Sequence, residues 1–312
     1  MNSRKKNIKI FAIIVIIVLT SLALTFFSTH LFVTSPEQEN ENYNPQSVFW
    51  QHVHGLGIDP EDRTILYIAT HGDFYQSING ASPIKVDEKR ADYMAFSASL
   101  EPGYPLYASG HPETGGATGL IQSTDGGQTW QHVSNVIDPP VDFHAMAVSK
   151  MDPNIIIGFD SAARGLFKTM DSGKTWETLQ QSEYISALAI SPFDSNVIMA
   201  GTTKGIFRSD DGGQSWLQMA SYKKLNVLAL SFDDNAKLFA SVDTFGLVSS
   251  SDFGESWEKF ENIELKITSI TADSQNEVIY VAGHSSEGYQ EVYKLSYDLE
   301  SYDLIGTNEE LN

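Results

Sequence analysis

Four stretches of this chain repeat one eight-residue pattern: STDGGQTW at 123–130, TMDSGKTW at 169–176, SDDGGQSW at 209–216 and SSDFGESW at 250–257. Each fits Ser/Thr-x-Asp-x-Gly-x-Ser/Thr-Trp, and Trp130, Trp176, Trp216 and Trp257 stand 46, 40 and 41 residues apart. A period of that length marks one structural unit used repeatedly, each copy burying its apolar face on the next.

Between the copies the chain alternates in short strands. ISALAI, VIMAGTT, GIFRS and QSWLQM surround the third copy; FHAMAV, IIIGFD, GLFKT and KTWETL precede them, and NVLAL, KLFASVD, GLVSS and ESWEKF follow. Four antiparallel strands per repeat are a β-propeller blade, with strands A to D running outward from the channel. Weaker copies complete the count. GLGID, ILYIATH and DFYQS with a turn at Asn79-Gly80 make a first blade, and MAFSAS, PLYASGH and GLIQS a second. ITSITA, EVIYVAGH and EVYKLSY make the last. The expected fold is all-β: a six-bladed propeller of four-stranded antiparallel blades over residues 47–305, behind an N-terminal transmembrane helix. The alternative of seven blades needs another ~40 residues.

The repeated octet has a structural reading. Asp125, Asp171, Asp211 and Asp252 are placed to accept backbone N–H bonds inside a tight turn. Gly127, Gly173, Gly213 and Gly254 suit the positive φ such a turn needs, and each Trp is expected to bury its ring between sheets. The pattern resembles the Asp-box, or BNR repeat, of sialidases, sortilin-type receptors and photosystem II assembly factors. The stretches HVHGLGID, LYIATHG, ASGHP, GLIQSTDGGQTW and DFHAMAV also resemble a group of exported bacterial propellers described as glycosyl-hydrolase-like. The resemblance covers nearly the whole domain. It implies the fold, and as functional expectations either a glycosidase or a binder of a protein or peptide.

The chain before the repeats reads differently. Arg4, Lys5, Lys6 and Lys9 precede the uncharged run IFAIIVIIVLTSLALTFF at 10–27, and no acid appears before Glu37. That run is long enough to span a bilayer, and the basic flank would stay in the cytoplasm. Residues 1–33 are expected to be the flank and anchor, 34–46 a polar tether, 47–305 the propeller and 306–312 a tail. The alternative is a cleaved signal peptide and a secreted domain. The protein beyond the anchor carries 16 Lys+Arg against 40 Asp+Glu, which repels phosphate backbones and argues against nucleic acid as a partner. There is no cysteine, so thiolate metal sites, disulfides and cysteine nucleophiles are excluded.

Ring closure is expected from WQHV at 50–53, which matches WQHV at 130–133. The later copy follows a box and is an outer strand, so the first would complete the last blade and leave no open edge. YDLIG at 302–306 competes for that place.

Strand A starts and strand B ends at one mouth of the channel. Aligning the apolar cores GLGI, AMAV, ALAI and VLAL sets His54, His144, Ser186 and Asn226 at one position, with Asp92 taking it in the second blade. The ends of the B strands set His71, His111, Asp160, Thr203, Asp243 and His284 at another. His52 and His132 fall on outer strands and read as structural. Imidazole and carboxylate together suit zinc, copper or nickel when thiolate is absent, so His54, His71, His111, His144 and His284 are the expected metal ligands. Asp92, Asp160, Asp243 and the cation Arg164 are expected to contact a ligand, and Asp92 and Asp160 are the candidates for acid–base catalysis. The glycine-rich segment GHPETGGATG at 110–119 lies at the same mouth, with Arg90 a second cation near it. Only five arginines are present, too few in suitable places for the arginine triad of the sialidases. The expected function is ligand binding by a membrane-anchored, extracytoplasmic propeller, the guest being a divalent metal or a small molecule held with one. The alternatives are a hydrolase using the same mouth and a scaffold for an extracytoplasmic protein.

Overall fold

Runs of β-branched and aromatic residues, cut short by Asp, Asn and Gly, become twenty-four strands in the computed structural model, which describes residue 48 and residues 50–309 except 100 and 182. The basic flank, the apolar run and the tether lie outside the described residues. Among the described residues no helix is long and apolar enough to cross a membrane.

The strands fall into six groups of four. The first is β1 (Val53–Ile58), β2 (Ile65–Gly72), β3 (Phe74–Ile78) and β4 (Ile84–Lys85); the second is β5 (Ala91–Ser97), β6 (Leu106–Pro112), β7 (Leu120–Ser123) and β8 (Gln131–Ser134). The third is β9 (Phe143–Val148), β10 (Ile156–Asp160), β11 (Leu166–Thr169) and β12 (Glu177–Leu179); the fourth is β13 (Ile185–Ile190), β14 (Ile198–Thr202), β15 (Gly205–Ser209) and β16 (Leu217–Gln218). The fifth is β17 (Val227–Phe232), β18 (Leu238–Val242), β19 (Gly246–Ser250) and β20 (Glu258–Lys259); the sixth is β21 (Leu265–Asp273), β22 (Val278–Ser285), β23 (Gln290–Ser296) and β24 (Tyr302–Thr307). Successive strands of a group pair antiparallel. The first two groups are joined into one sheet where His71 and Gly72 of β2 pair with Asp92 and Ala91 of β5. First strands touch in succession, β1 to β5, β9, β13, β17 and β21, and β21 meets β1. Inner strands closed in a ring are a β-propeller.

Apolar side chains fill the space between neighbouring groups. One core joins Met199 and Ile206 of the fourth group to Val227 and Leu238 of the fifth, and another joins Ile58 and Ile68 of the first to Tyr280 and Val292 of the sixth. The octets cap these layers as expected. Asp211 accepts from the Ser215 amide at 2.8 Å and the Ser215 hydroxyl at 2.6 Å, while Ser209 Oγ accepts from the Gly213 amide at 2.8 Å. The same bonds recur around Asp125, Asp171 and Asp252. The four glycines hold φ between 85 and 95°, a region that costs a side-chain-bearing residue strain. Each Trp is half-buried rather than fully enclosed, its Nε1 donating to that glycine's carbonyl at 3.0–3.1 Å. A weaker box closes the last group: Ser296 Oγ donates to Asp298 at 2.6 Å, and the Glu300 amide donates to Asp298 at 3.0 Å.

Closure differs from the expectation for WQHV. YDLIG supplies the outer strand of the last group, β24 pairing with β23 and running two residues past the boundary expected at 305. Residue 48 and residues 50–52 instead lie between the sixth and first groups. The Val48 amide donates to Thr307 O at 2.8 Å, Trp50 Nε1 donates to Gln290 O at 3.0 Å, and Asn308 Nδ2 donates to Trp50 O at 3.1 Å. Trp50 is 3% exposed, in the core between the sixth and first groups. The tail pairs with β23 over Tyr302–Thr307, whereas WQHV ends in Val53, the first residue of β1.

The end of the channel at the A–B turns is tied by charge. Arg63 Nη1 donates to Asp234 at 2.6 Å and to the fully buried Asp273 at 2.7 Å. Lys150 Nζ donates to Phe232 O at 2.6 Å and sits 3.7 Å from Asp234. These contacts join the first, third, fifth and sixth groups, leaving the opposite mouth as the place to look for a site.

Candidate metal centre

Each first strand carries a one-residue bulge at its start. The ladder shifts between Val53 and Gly55, Tyr93 and Ala95, Ile185 and Ala187, Val227 and Ala229, and Ile267 and Ser269, and in β9 opposite Phe159 and Asp160. The bulged residues are therefore His54, Met94, His144, Ser186, Leu228 and Thr268. Two residues earlier, in equivalent places, stand His52, Asp92, Asp142, Tyr184, Asn226 and Lys266. This corrects the alignment from sequence, which set Asp92 and Asn226 level with His54. The residues level with Gly55 are Ala95 and Ala229, so Asp92 and Asn226 lie two places before the position of His54.

The same correction applies across the ladder. His71, His111, Ser161, Asp243 and His284 stand opposite His52, Asp92, Asp142, Asn226 and Lys266. Ser161, not Asp160, belongs to that ring.

With the register right, two histidines and one aspartate converge twice. In the first set His71 Nδ1 lies 2.7 Å from Asp92 Oδ2, and His54 Nε2 lies 3.3 Å from Asp92 Oδ1. The latter pair is close enough for attraction but not aligned for a hydrogen bond, so both buried atoms lack a hydrogen-bond partner. In the second set His111 Nε2 and His144 Nε2 lie 3.1 and 3.0 Å from Asp142 Oδ2, and Ser161 Oγ donates to that oxygen at 2.9 Å. Asp142 Oδ1 is buried and accepts nothing. In each set the three donor atoms lie within 4.8 Å of one another, a spacing a single cation can bridge.

Burial raises the Asp92 carboxyl pKa, but the contacts with His54 and His71 outweigh it and hold the group below its ordinary value. Asp142 follows the same balance, burial opposed by His144, Ser161 and His111. Both stay ionised at neutral pH, as a metal ligand must. Burial, then the charges of His54, His284 and His71, lower the pKa of His52.

The remaining expected residues part company. His284 packs edge-on against His52, ring centres 5.7 Å apart, outside both sets. His52 thus faces the mouth, not an outer strand, while His132 does lie on the outer strand β8 and contacts Thr118 O at 3.0 Å. Asp160 is fully buried and held by Arg164, whose Nε and Nη2 each donate to it at 2.8 Å. Arg164 also donates to Pro139 O and Pro140 O. The pair braces a loop, with neither charge left for a ligand. Asp243 lines a separate hollow between the fifth and sixth groups. Arg90 lies 3.5 Å from Asp73. Asp142 was missed, although the likeness of A-D-Y-M-A to V-D-F-H-A would have set it level with Asp92.

A sequence model of the sortilin (neurotensin receptor 3) family matches residues 164–312, just under half of the chain. No curated protein matches. Among solved structures, the fold is similar to that of the GH74 xyloglucanase from Xanthomonas campestris, at 15% identity and TM-score 0.58 over 81% of this chain and 45% of that one. This chain spans less than half of that enzyme. It is also similar to YCF48 bound to D1 peptide, at 16% identity and TM-score 0.52 over 84% and 86% of the two chains. A third is a gluconolactonase from Xanthomonas campestris, at 12% identity and TM-score 0.59 over 76% and 84%. These likenesses place the chain with the Asp-box propellers in fold.

Proposed function

We propose that this chain is a six-bladed propeller, anchored in the cell membrane by the run at 10–27, that binds zinc, copper or nickel on its extracytoplasmic side through His54, His71 and Asp92. One observation carries the reading. Two buried polar atoms, His54 Nε2 and Asp92 Oδ1, face each other without a hydrogen bond while His71 holds the other carboxylate oxygen. Leaving such atoms unpaired costs about 1–3 kcal/mol each, and a cation among them satisfies all three donors. Two imidazoles and a carboxylate fit a borderline divalent metal, and three protein ligands leave a position for water or a small molecule. Asp92 supplies the charge, and its backbone pairing to His71 fixes the separation of those two ligands.

Metal analysis of the full chain in detergent tests this, with His54→Ala and Asp92→Asn as variants. Retention of zinc, copper or nickel after dialysis, reduced relative to the unaltered chain in both variants, supports it. A metal-free protein whose melting temperature ignores all three metals rejects it. Protease accessibility in intact cells and in membranes separates an anchored extracytoplasmic domain from a secreted one.

A second reading draws on the likeness to YCF48 bound to D1 peptide: the same mouth, or the blade edges, would hold an extracytoplasmic protein segment. Co-purification of a protein that depends on the propeller but survives Asp92→Asn would favour it.

A further inference from the structure

We infer that the mouth holds two separate metal sites, the second built from His111, Asp142 and His144. The inference rests on the metal-binding reading above and extends it to residues that reading does not use.

The second set repeats the chemistry of the first with a different construction. His111 comes from the end of β6, Asp142 from the residue before β9, and His144 from the bulge within β9. The ligand atoms of each set lie within 4.8 Å of one another, and among the described residues no set draws from both.

The tautomer of His111 is legible. Its Nδ1 lies 3.1 Å from Gly116 O, and a carbonyl can only accept, so Nδ1 carries the proton. In the neutral ring Nε2 is then a bare lone pair, the form that ligates a metal. That lone pair sits 3.1 Å from Asp142 Oδ2, which also meets His144 Nε2 at 3.0 Å. Two imidazole nitrogens crowd one carboxylate oxygen while the other, buried, accepts nothing. Without a cation, His144 can donate from Nε2 as a neutral ring, but His111, its Nδ1 proton directed at Gly116 O, meets the carboxylate favourably only with both ring nitrogens protonated. A divalent cation among the three removes the conflict and leaves Ser161 Oγ to steady the carboxylate at 2.9 Å.

The glycine-rich segment 110–119 acquires a role here. It brings Gly116 O back to His111, and it begins at Gly110, where a Cβ would stand 1.9 Å from Asp92 O. Only glycine allows the strand carrying His111 to lie so close to the one carrying Asp92. Asp92 and His111 are paired in the β5–β6 ladder, which makes the two sites neighbours without shared ligands.

Zinc titration of the metal-stripped full chain in detergent, followed by calorimetry and elemental analysis, tests this. Two equivalents are expected in the wild type. One is expected in Asp142→Asn and in His111→Asn, one in Asp92→Asn, and none in the Asp92→Asn/Asp142→Asn double variant, with near-wild-type tryptophan fluorescence confirming the fold. A single wild-type equivalent abolished by both Asp92→Asn and Asp142→Asn overturns the inference in favour of one shared site. A single equivalent lost only in Asp92→Asn overturns it and leaves the first site standing. No zinc in the wild type overturns the underlying reading and this inference with it.

Discussion

His71 and Asp92 sit opposite each other where the first and second four-stranded groups join, Nδ1 2.7 Å from Oδ2. The rung that fuses two sheets is thus also half of a candidate metal site. Structure and the separation of these two ligands are fixed by the same backbone pairing.

Trp50 is expected to be the clasp of the ring. Trp50→Ala removes a fully enclosed indole and should cost about 3–5 kcal/mol, read by urea denaturation. Trp50→Phe keeps most of the apolar contact but loses the Nε1 bond to Gln290 O, worth about 1 kcal/mol. If both cost less than Gln51→Ala, the clasp is elsewhere.

Arg164 should matter for stability and not for metal. Arg164→Ala leaves Asp160 buried without its partner, a change that typically costs about 3–5 kcal/mol. Zinc stoichiometry of the folded variant should stay at the wild-type value. Loss of metal with no loss of stability would restore Arg164 and Asp160 to the site.

Arg63 and Lys259 make a matched contrast. Arg63→Ala strips the compensation from the fully buried Asp273 and should destabilise by about 2–4 kcal/mol. Lys259 pairs with Glu261 on the exposed surface, so Lys259→Ala should change stability by less than about 1 kcal/mol. Equal effects in thermal melts would mean the far mouth is not held by charge.

The boxes set the acid limit. Hydrogen bonds from Thr175, Ser215 and Ser256 hold Asp171, Asp211 and Asp252 down at about 2, from an ordinary 3.8. A carboxylate with a depressed folded pKa stabilises the fold above its unfolded value, and that contribution is lost as pH falls through the folded one. The melting temperature should therefore drop between pH 4 and pH 2, and the slope should be shallower in Asp211→Ala. An unchanged slope in the variant would show that the box carboxylates do not govern acid stability.

The repeat made the fold readable because its turn chemistry is local: Asp, Gly and Trp act within eight residues and need no knowledge of distant neighbours. The faint box at Ser296–Ser301 lacks both the Gly and the Trp, and so escaped notice. The mouth was half readable. His54, His71, His111, His144 and Asp92 do gather there, because strand ends of successive blades meet at one rim. Which of them share a centre depends on cross-strand register, which an apolar pattern does not fix. A two-residue slip moved Asp92 and Asn226 to the place of His54, and a one-residue slip on β10 put Asp160 in the place of Ser161. The choice between WQHV and YDLIG turned on long-range pairing, where both segments offered comparable local signals.

Anomalous diffraction at the zinc edge, from crystals grown with zinc, would locate any bound metal at the mouth. One peak is expected among His54 Nε2, His71 Nδ1 and Asp92, and a second among His111, His144 and Asp142. Crystals that show no peak at either place, with both carboxylates still facing their histidines, would contradict the metal-binding reading.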